Sequence, residues 1–270
     1  NMEALGAQLG WSRDALQQFA DVANGLDIAT DMDAERAGTN LAQFANITKM
    51  AQGDAERYAS SIVGLGNNKA TTESKISDMA MGMASAGTQA GMSQADILGV
   101  AAAAASLGME AQAGGSAFSK TINEIGMQVS TNGKQLEQWA SLAHMSVDEF
   151  KSAWSSDVTG TFVAVVRGMG EVSANGGDLN ATLADLGITE LRQSDFLRRL
   201  AGNSELLSKA VSLSNSEWER NTALQNEVDN RNQSLASKMQ VLQNRVTAVA
   251  ADLGGPLADA ALAAVDAAKP

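Results

Sequence analysis

The sequence predicts an all-α fold, a multi-helical globular domain of about eleven or twelve helices with a long C-terminal heptad-bearing helix. Three observations carry this. Apolar residues recur at three- and four-residue steps along most of the chain, and convincing strand alternation occurs nowhere. Only two prolines, Pro256 and Pro270, stand against 25 glycines, the punctuation of helices that end on Gly. Finally, the fragments Gly10-Trp11-Ser12, Gly91-Met92-Ser93 and His144-Met145-Ser146 each place a bulky apolar residue before a Ser that opens an apolar-periodic stretch, the pattern of an N-cap with a hydrophobic staple.

In chain order, Ser12 opens a helix with Leu16, Phe19 and Ala23 on one face, and Gly25 is expected to end it. Asp33 to Met50 follows, with Leu41, Phe44 and Ile47 at three-residue steps and Gly53 as its stop. The next helix runs from Asp54 to Leu65 with Tyr58 and Ile62 buried, and Gly66-Asn67-Asn68 reads as a turn. Thr72 to Ala86 follows, with Ile76, Met79 and Met83 inward. Ser93 then caps a helix through Ala101–Ala105 to Gly108. Five alanines cover every face with almost no side chain, so neighbouring helices can approach closely and this helix is expected at the centre of the core.

Phe118, Ile122, Ile125 and Val129 form a further stripe, closed by the turn Thr131-Asn132-Gly133. Leu136, Trp139 and Leu142 make a short helix, and Ser146 with Glu149 forms a capping box leading into Phe150 and Trp154. Phe162, Val165, Val166 and Met169 point inward from the helix at Asp157 to Val172. Asn175-Gly176-Gly177 breaks the pattern, which Leu179, Leu183 and Leu186 resume up to Gly187. Leu191 to Ala201 is another helix, and the next starts at Asn203 or Ser204 and pauses near Ser214 to Ser216.

The run from Ser216 to Leu253 differs in kind. Val228, Leu235, Leu242 and Val249 repeat every seven residues, and Asn232, Met239, Val246 and Leu253 fall at a four-residue offset, so the two sets occupy d and a of a heptad. Continuous helix over this run would span about 57 Å. These eight residues are the candidate self-association seam. An Asn at a favours one register and a low oligomer number when the seam lies between chains, whereas in a seam packed on its own domain Asn232 sits at the edge; spacing alone leaves both open. Gly254-Gly255-Pro256 breaks the helix, and Pro256 opens a short terminal one holding Leu257, Ala261 and Val265. The division expected is a helical core over 1–214 and, over 215–270, the long helix, the break and the terminal helix, with the whole chain read as a piece of something longer.

Composition bounds the function. Apolar residues make up 44% of the chain and aromatics only 4%, so Ala, Leu, Ile, Val and twelve Met must build the core. A net charge of −12 argues against specific nucleic-acid binding, which needs a clustered basic face; Arg192, Arg198 and Arg199 read as a solvated helix surface. No cysteine is present, so no thiolate or disulfide site exists. The longest small-apolar run, Ile97 to Gly108, is too short to span a bilayer.

Catalytic patterns are also missing. His144, the sole histidine, has no Cys or second His to share a metal and reads as a turn residue, and no Gly-x-Ser-x-Gly elbow accompanies it. Asp27, Asp31, Asp33 and Glu35 superficially suggest calcium, but an EF-hand starting at Asp31 would place Arg36 where Gly is needed and Ala42 where Glu is needed. Gly64-Leu65-Gly66 follows a helix rather than a strand, so a helix C-terminus explains it better than a phosphate loop. No enzyme, cofactor or metal is therefore expected.

An ordered series of short matches carries one resemblance. Leu65-Gly66-Asn67-Asn68 with Ala70-Thr71-Thr72-Glu73, and Ala90-Gly91-Met92-Ser93 through Ser106-Leu107-Gly108-Met109-Glu110, resemble the core region of phage tail tape-measure proteins. So do Trp139-Ala140, Met145-Ser146 with Glu149-Phe150, Asp185-Leu186-Gly187-Ile188 with Arg192, Leu200-Ala201-Gly202, and Glu227 to Arg231. The resemblance implies a helical protein in the lumen of a phage or prophage tail, made in the host cytoplasm, around which the tube polymerises. It also implies an influence on tail length and departure ahead of the genome at infection. The implied partners are other copies of itself as a homo-oligomer in the lumen, the tail-tube protein, tail assembly chaperones and distal tail proteins. The chain lacks the long repetitive coiled coil of a whole tape measure. Two alternatives stand beside this reading. One is a membrane-active module built on Met79 to Met109, where Asp96, Thr88, Gln89 and Gln94 interrupt the apolar character and disfavour membrane contact. The other is a cellular helical adaptor, against which the unequal spacing of the Ser starts counts.

Overall fold

The computed structural model describes residues 12–253, with the side chains of Arg13, Gln240 and 242–253 left out. Among the described residues there are thirteen α-helices, one short 3-10 turn and no strand. They are α1 (Arg13–Ala29), α2 (Ala34–Thr48), α3 (Ala55–Asn68), α4 (Glu73–Ala90), α5 (Gln94–Ser106), α6 (Ala111–Thr131) and α7 (Leu136–Leu142). There follow α8 (Val147–Ser156), α9 (Val158–Ala174), α10 (Leu179–Asp185), α11 (Leu191–Ala201), α12 (Ser204–Arg220) and α13 (Ala223–Leu253). The chain forms two units, one reaching to Leu224 and the other beginning at Gln225. The first thus extends past Ser214, where the sequence reading ends the core, because α12 continues unbroken and buries Leu207, Ala210 and Ser214.

α5 is buried on every face, with Ile97 to Ala104 fully enclosed, and it packs against α3, α4 and α12. The alanine run explains this, since helices can approach from all sides. Glycines tighten the same layers. A Cβ on Gly115 of α6 would sit 2.8 Å from the Gly82 backbone of α4, and one on Gly99 of α5 would meet the Val211 Cα of α12 at 2.6 Å. The aromatic centre of the remaining helices is Phe118, which meets Phe162 and Phe196 edge-on at centroid distances of 6.1 and 6.4 Å and so ties α6 to α9 and α11.

Helix starts follow local chemistry. Ser12 accepts from the Ala15 N–H, while the Trp11 half of that device lies outside the described residues. Ser93 and Ser146 form full capping boxes with Asp96 and Glu149. In the second, the Glu149 N–H donates to Ser146 Oγ at 3.3 Å and the Ser146 N–H donates to Glu149 Oε2 at 2.8 Å. The Ser146 hydroxyl also donates to Glu149 Oε2 at 2.7 Å, and the two donors, the Ser146 N–H first and its hydroxyl second, hold the Glu149 carboxyl below its ordinary pKa. Ser146→Ala is expected to cost about 1 kcal/mol, read as a lower chemical-denaturation midpoint with unchanged slope; an unchanged midpoint would show the box to be dispensable.

Several boundaries differ from the expected ones, each for a packing reason. α1 runs through Gly25 to Ala29, because a Cβ there would lie 3.3 Å from the Leu224 side chain: the glycine admits a neighbour and does not stop the helix. α4 continues past Ala86 until Gly91, whose φ of 96° closes it. α12 does not pause at Ser214–Ser216; Ser214 is fully buried and its carbonyl accepts from Ser61 Oγ at 3.2 Å. The expected continuous helix from Ser216 to Leu253 is instead broken at Asn221, which adopts the left-handed conformation (φ 51°) that Asn tolerates better than other non-Gly residues. The helix after the break holds 31 residues, about 46 Å. The terminal helix expected after Gly254-Gly255-Pro256 lies outside the described residues.

One capping device is non-local. Thr72 precedes α4 but makes no side-chain cap; instead Asp31, from the α1–α2 connection, accepts from the Ser74 N–H at 2.9 Å and the Ser74 hydroxyl at 2.6 Å. Burial alone raises the Asp31 carboxyl, but the Ser74 hydroxyl and N–H outweigh it, so its pKa sits below the ordinary value. A carboxylate depressed on folding contributes stability that is present above its unfolded pKa of about 3.9 and is lost as pH falls through the folded value. Asp31→Asn is therefore expected to destabilise the protein by about 1 kcal/mol at neutral pH, with the gap to the parent closing on acidification below about pH 4. A gap that is constant from neutral to acid pH would remove the charge from the explanation.

Candidate functional site

α13 carries Val228 and Leu235, expected at d, and Asn232 and Met239, expected at a, at three- and four-residue steps along one side of a helix. Leu235 is 50% exposed and Val241, outside this set, 51%. Asn232 is exposed, and Val228 and Met239 are half-buried. The side chains of Leu242, Val246, Val249 and Leu253 lie outside the described set, although their backbone continues the same helix. Polar i,i+4 pairs support the flanks: Arg231 meets Glu227 at 3.0 Å, and Gln225 donates to Asp229 at 2.8 Å. Along this side the described residues are Val228, Asn232, Leu235 and Met239, beside charged and amide side chains that pair with one another.

The other positions weighed in the sequence resolve into structural roles. His144 is an exposed turn residue with φ 56°, its Nε2 lying 2.6 Å from Glu171 Oε2. Of the acidic quartet, Asp31 caps α4 and Asp33 caps α2 by accepting from the Arg36 N–H at 2.8 Å, while Arg36 pairs with Asp78 at 2.6 Å. Gly64 and Gly66 lie inside α3 and not at its end; Gly64 faces Glu217 of α12, whose Cγ would be 2.5 Å from a Cβ. Arg199 donates to Asp195 at 2.9 Å and to the Leu107 carbonyl at 3.0 Å. With Arg192, Met109 and Phe196 it lines a small cleft of about 220 Å³.

A larger open cleft of about 470 Å³ brings Lys69, at the end of α3, to Lys209 and the start of α12. Burial first, and the neighbouring Lys209 charge second, lower the Lys69 pKa. Lys209 is itself paired with Glu205 at 2.7 Å, and that contact lowers the Glu205 carboxyl. Neither lysine stood out in the sequence, where they are isolated and far apart; only the fold joins them. Among the described residues no cluster of His, Cys, Asp and Glu could hold a metal ion, and no helix is long and apolar enough to cross a membrane.

No curated protein and no solved structure matches the chain. A family description does. With residues 1–189 of its 270 matched to phage-related minor tail protein, the chain belongs to that family and is a component of the phage tail.

Proposed function

We propose that this chain is a structural segment of a tape-measure protein, occupying the tail lumen as a homo-oligomer, templating tube assembly and length, and leaving the tail at infection. The observation that carries this reading is the family match over 1–189, followed in the chain by a 31-residue helix on which Leu235 is exposed. A packed helical body followed in sequence by a long helix suits a role in which one part organises assembly and another extends along a tube. The role is mechanical: its partners are the tail-tube protein, assembly chaperones and distal tail proteins, and its work is done by burial of apolar surface rather than by reacting groups.

The test is tail length. Inserting four heptads that continue the α13 pattern into the gene of the parent phage should lengthen the tails, measured by electron microscopy, by about 42 Å. Tails of unchanged length, from particles shown by mass spectrometry to carry the variant chain, would overturn the measuring role. Liposome leakage caused by the purified chain would instead favour a membrane-active module.

A further inference from the structure

We propose that Asn175 is a site of spontaneous covalent modification, losing its side-chain amide and rerouting the main chain to isoaspartate. The two other Asn-Gly pairs of the chain, Asn24-Gly25 and Asn132-Gly133, are held back by the fold. The step needs water and no enzyme. The Gly176 peptide nitrogen, once deprotonated, attacks Asn175 Cγ. The new N–Cγ bond closes a succinimide as the Cγ–Nδ2 bond breaks, and the departing nitrogen takes up a proton to leave as ammonia. Water then adds to either ring carbonyl and opens it, giving aspartate or isoaspartate. Ring closure requires the nitrogen of the following residue to leave its own hydrogen bond and swing onto the side chain, and glycine obstructs that approach least.

The three pairs differ in what must be undone first. Residues 173–178, between α9 and α10, are exposed in one unbroken run, and a Cβ on Gly176 would meet nothing within 4 Å. Among the described residues the Asn175 side chain makes no hydrogen bond. The Gly176 N–H donates to the Ser173 carbonyl at 3.2 Å; the firmer bond of this turn, from the Gly177 N–H to the Val172 carbonyl at 2.8 Å, does not involve the attacking nitrogen. At Asn132-Gly133 the corresponding atoms are engaged. Asn132 Oδ1 accepts from Lys151 Nζ at 2.8 Å, and the Gly133 N–H donates to the Gln128 carbonyl at 2.9 Å. The Gln128 side chain also packs on Gly133 while its amide is bonded to Glu124 and Gln135. Asn24-Gly25 lies inside α1, where the Gly25 N–H belongs to the helix ladder. The product has a local consequence. It sets a carboxylate at the C-cap of α9, where the helix dipole disfavours negative charge, and the isoaspartyl linkage adds a methylene to the main chain of the turn.

Ageing the full chain in neutral buffer, folded and in guanidinium chloride side by side, tests this. Trypsin puts the three pairs on separate peptides, because it cleaves after Arg13, Arg36, Lys120, Lys134, Arg167 and Arg192. Mass spectrometry with electron-transfer fragmentation locates the converted residue and tells isoaspartate from aspartate. In the folded chain Asn175 should convert at least about tenfold faster than Asn24 or Asn132, because the protected pairs must first open locally. Isoaspartate is the expected main product. In the unfolded chain the advantage of Asn175 should vanish, since all three pairs then offer the same two residues to solvent. Equal rates at the three pairs in the folded chain would overturn the proposal. An advantage that survives undiminished in guanidinium chloride would overturn it too, by assigning the selectivity to the neighbouring sequence and not to the fold.

Discussion

Gly99→Ala is expected to destabilise the protein by about 2 kcal/mol and to lower its Tm by roughly 4–8 °C, although Ala is the better helix former by about 1 kcal/mol. The sign is decided by what the added methyl meets. At Gly99 it lies 2.6 Å from Val211 Cα, 3.0 Å from its nitrogen and 3.1 Å from the Ala210 carbonyl oxygen, all backbone atoms of α12 that no rotamer change can move. α5 and α12 must separate, and α5 is enclosed on every side, so the strain passes to the contacts with α3 and α4. Gly53→Ala is the internal control. Nothing lies within 4 Å of a Cβ there and no positive φ is required, so it should be neutral or stabilising by up to about 1 kcal/mol. Equal midpoints for the two variants in thermal denaturation followed by circular dichroism would refute the close-approach account of α5.

The same glycines show how far this fold was legible in the sequence. Helical periodicity, the Ser93 and Ser146 caps and the central alanine run are local signals, written within a few residues of where they act, and they reappear as α5, α8 and their starts. Glycine is ambiguous locally. Gly91, Gly108 and Gly187 take positive φ and close or follow helices, whereas Gly25, Gly64, Gly82, Gly99 and Gly115 sit inside helices and admit a neighbour. Only the partner distinguishes the two uses, and the partner lies far away in sequence. The cap that Asp31 provides to Ser74 was hidden for the same reason, as was the meeting of Lys69 with Lys209. A helix over the α13 run was readable from its periodicity, but its start was not: Asn221 in the left-handed conformation costs little, leaves no gap in the apolar pattern, and separates α12 from α13.

The largest effect is expected from Leu235→Lys combined with Leu242→Lys: complete loss of self-association, with the helical body unchanged. Each d-layer leucine buried between copies contributes about 1.5–3 kcal/mol. Two lost from each of two chains therefore remove at least about 6 kcal/mol, more than a 10⁴-fold weakening before repulsion between facing ammonium groups is added. The body is spared because Leu235 is 50% exposed within its own chain and belongs to the unit that begins at Gln225, so a lysine there keeps its charge in water. A seam folded onto its own domain would behave in the opposite way, since the same substitutions would bury charge and unfold the chain. Light scattering and circular dichroism on the same samples distinguish the two. The expected result is a fall to monomer mass with the cooperative melting transition kept. An unfolded variant would assign the stripe to intrachain packing, and a parent and variant that are both folded monomers at high concentration would leave α13 a solvated helix without a partner of its own kind.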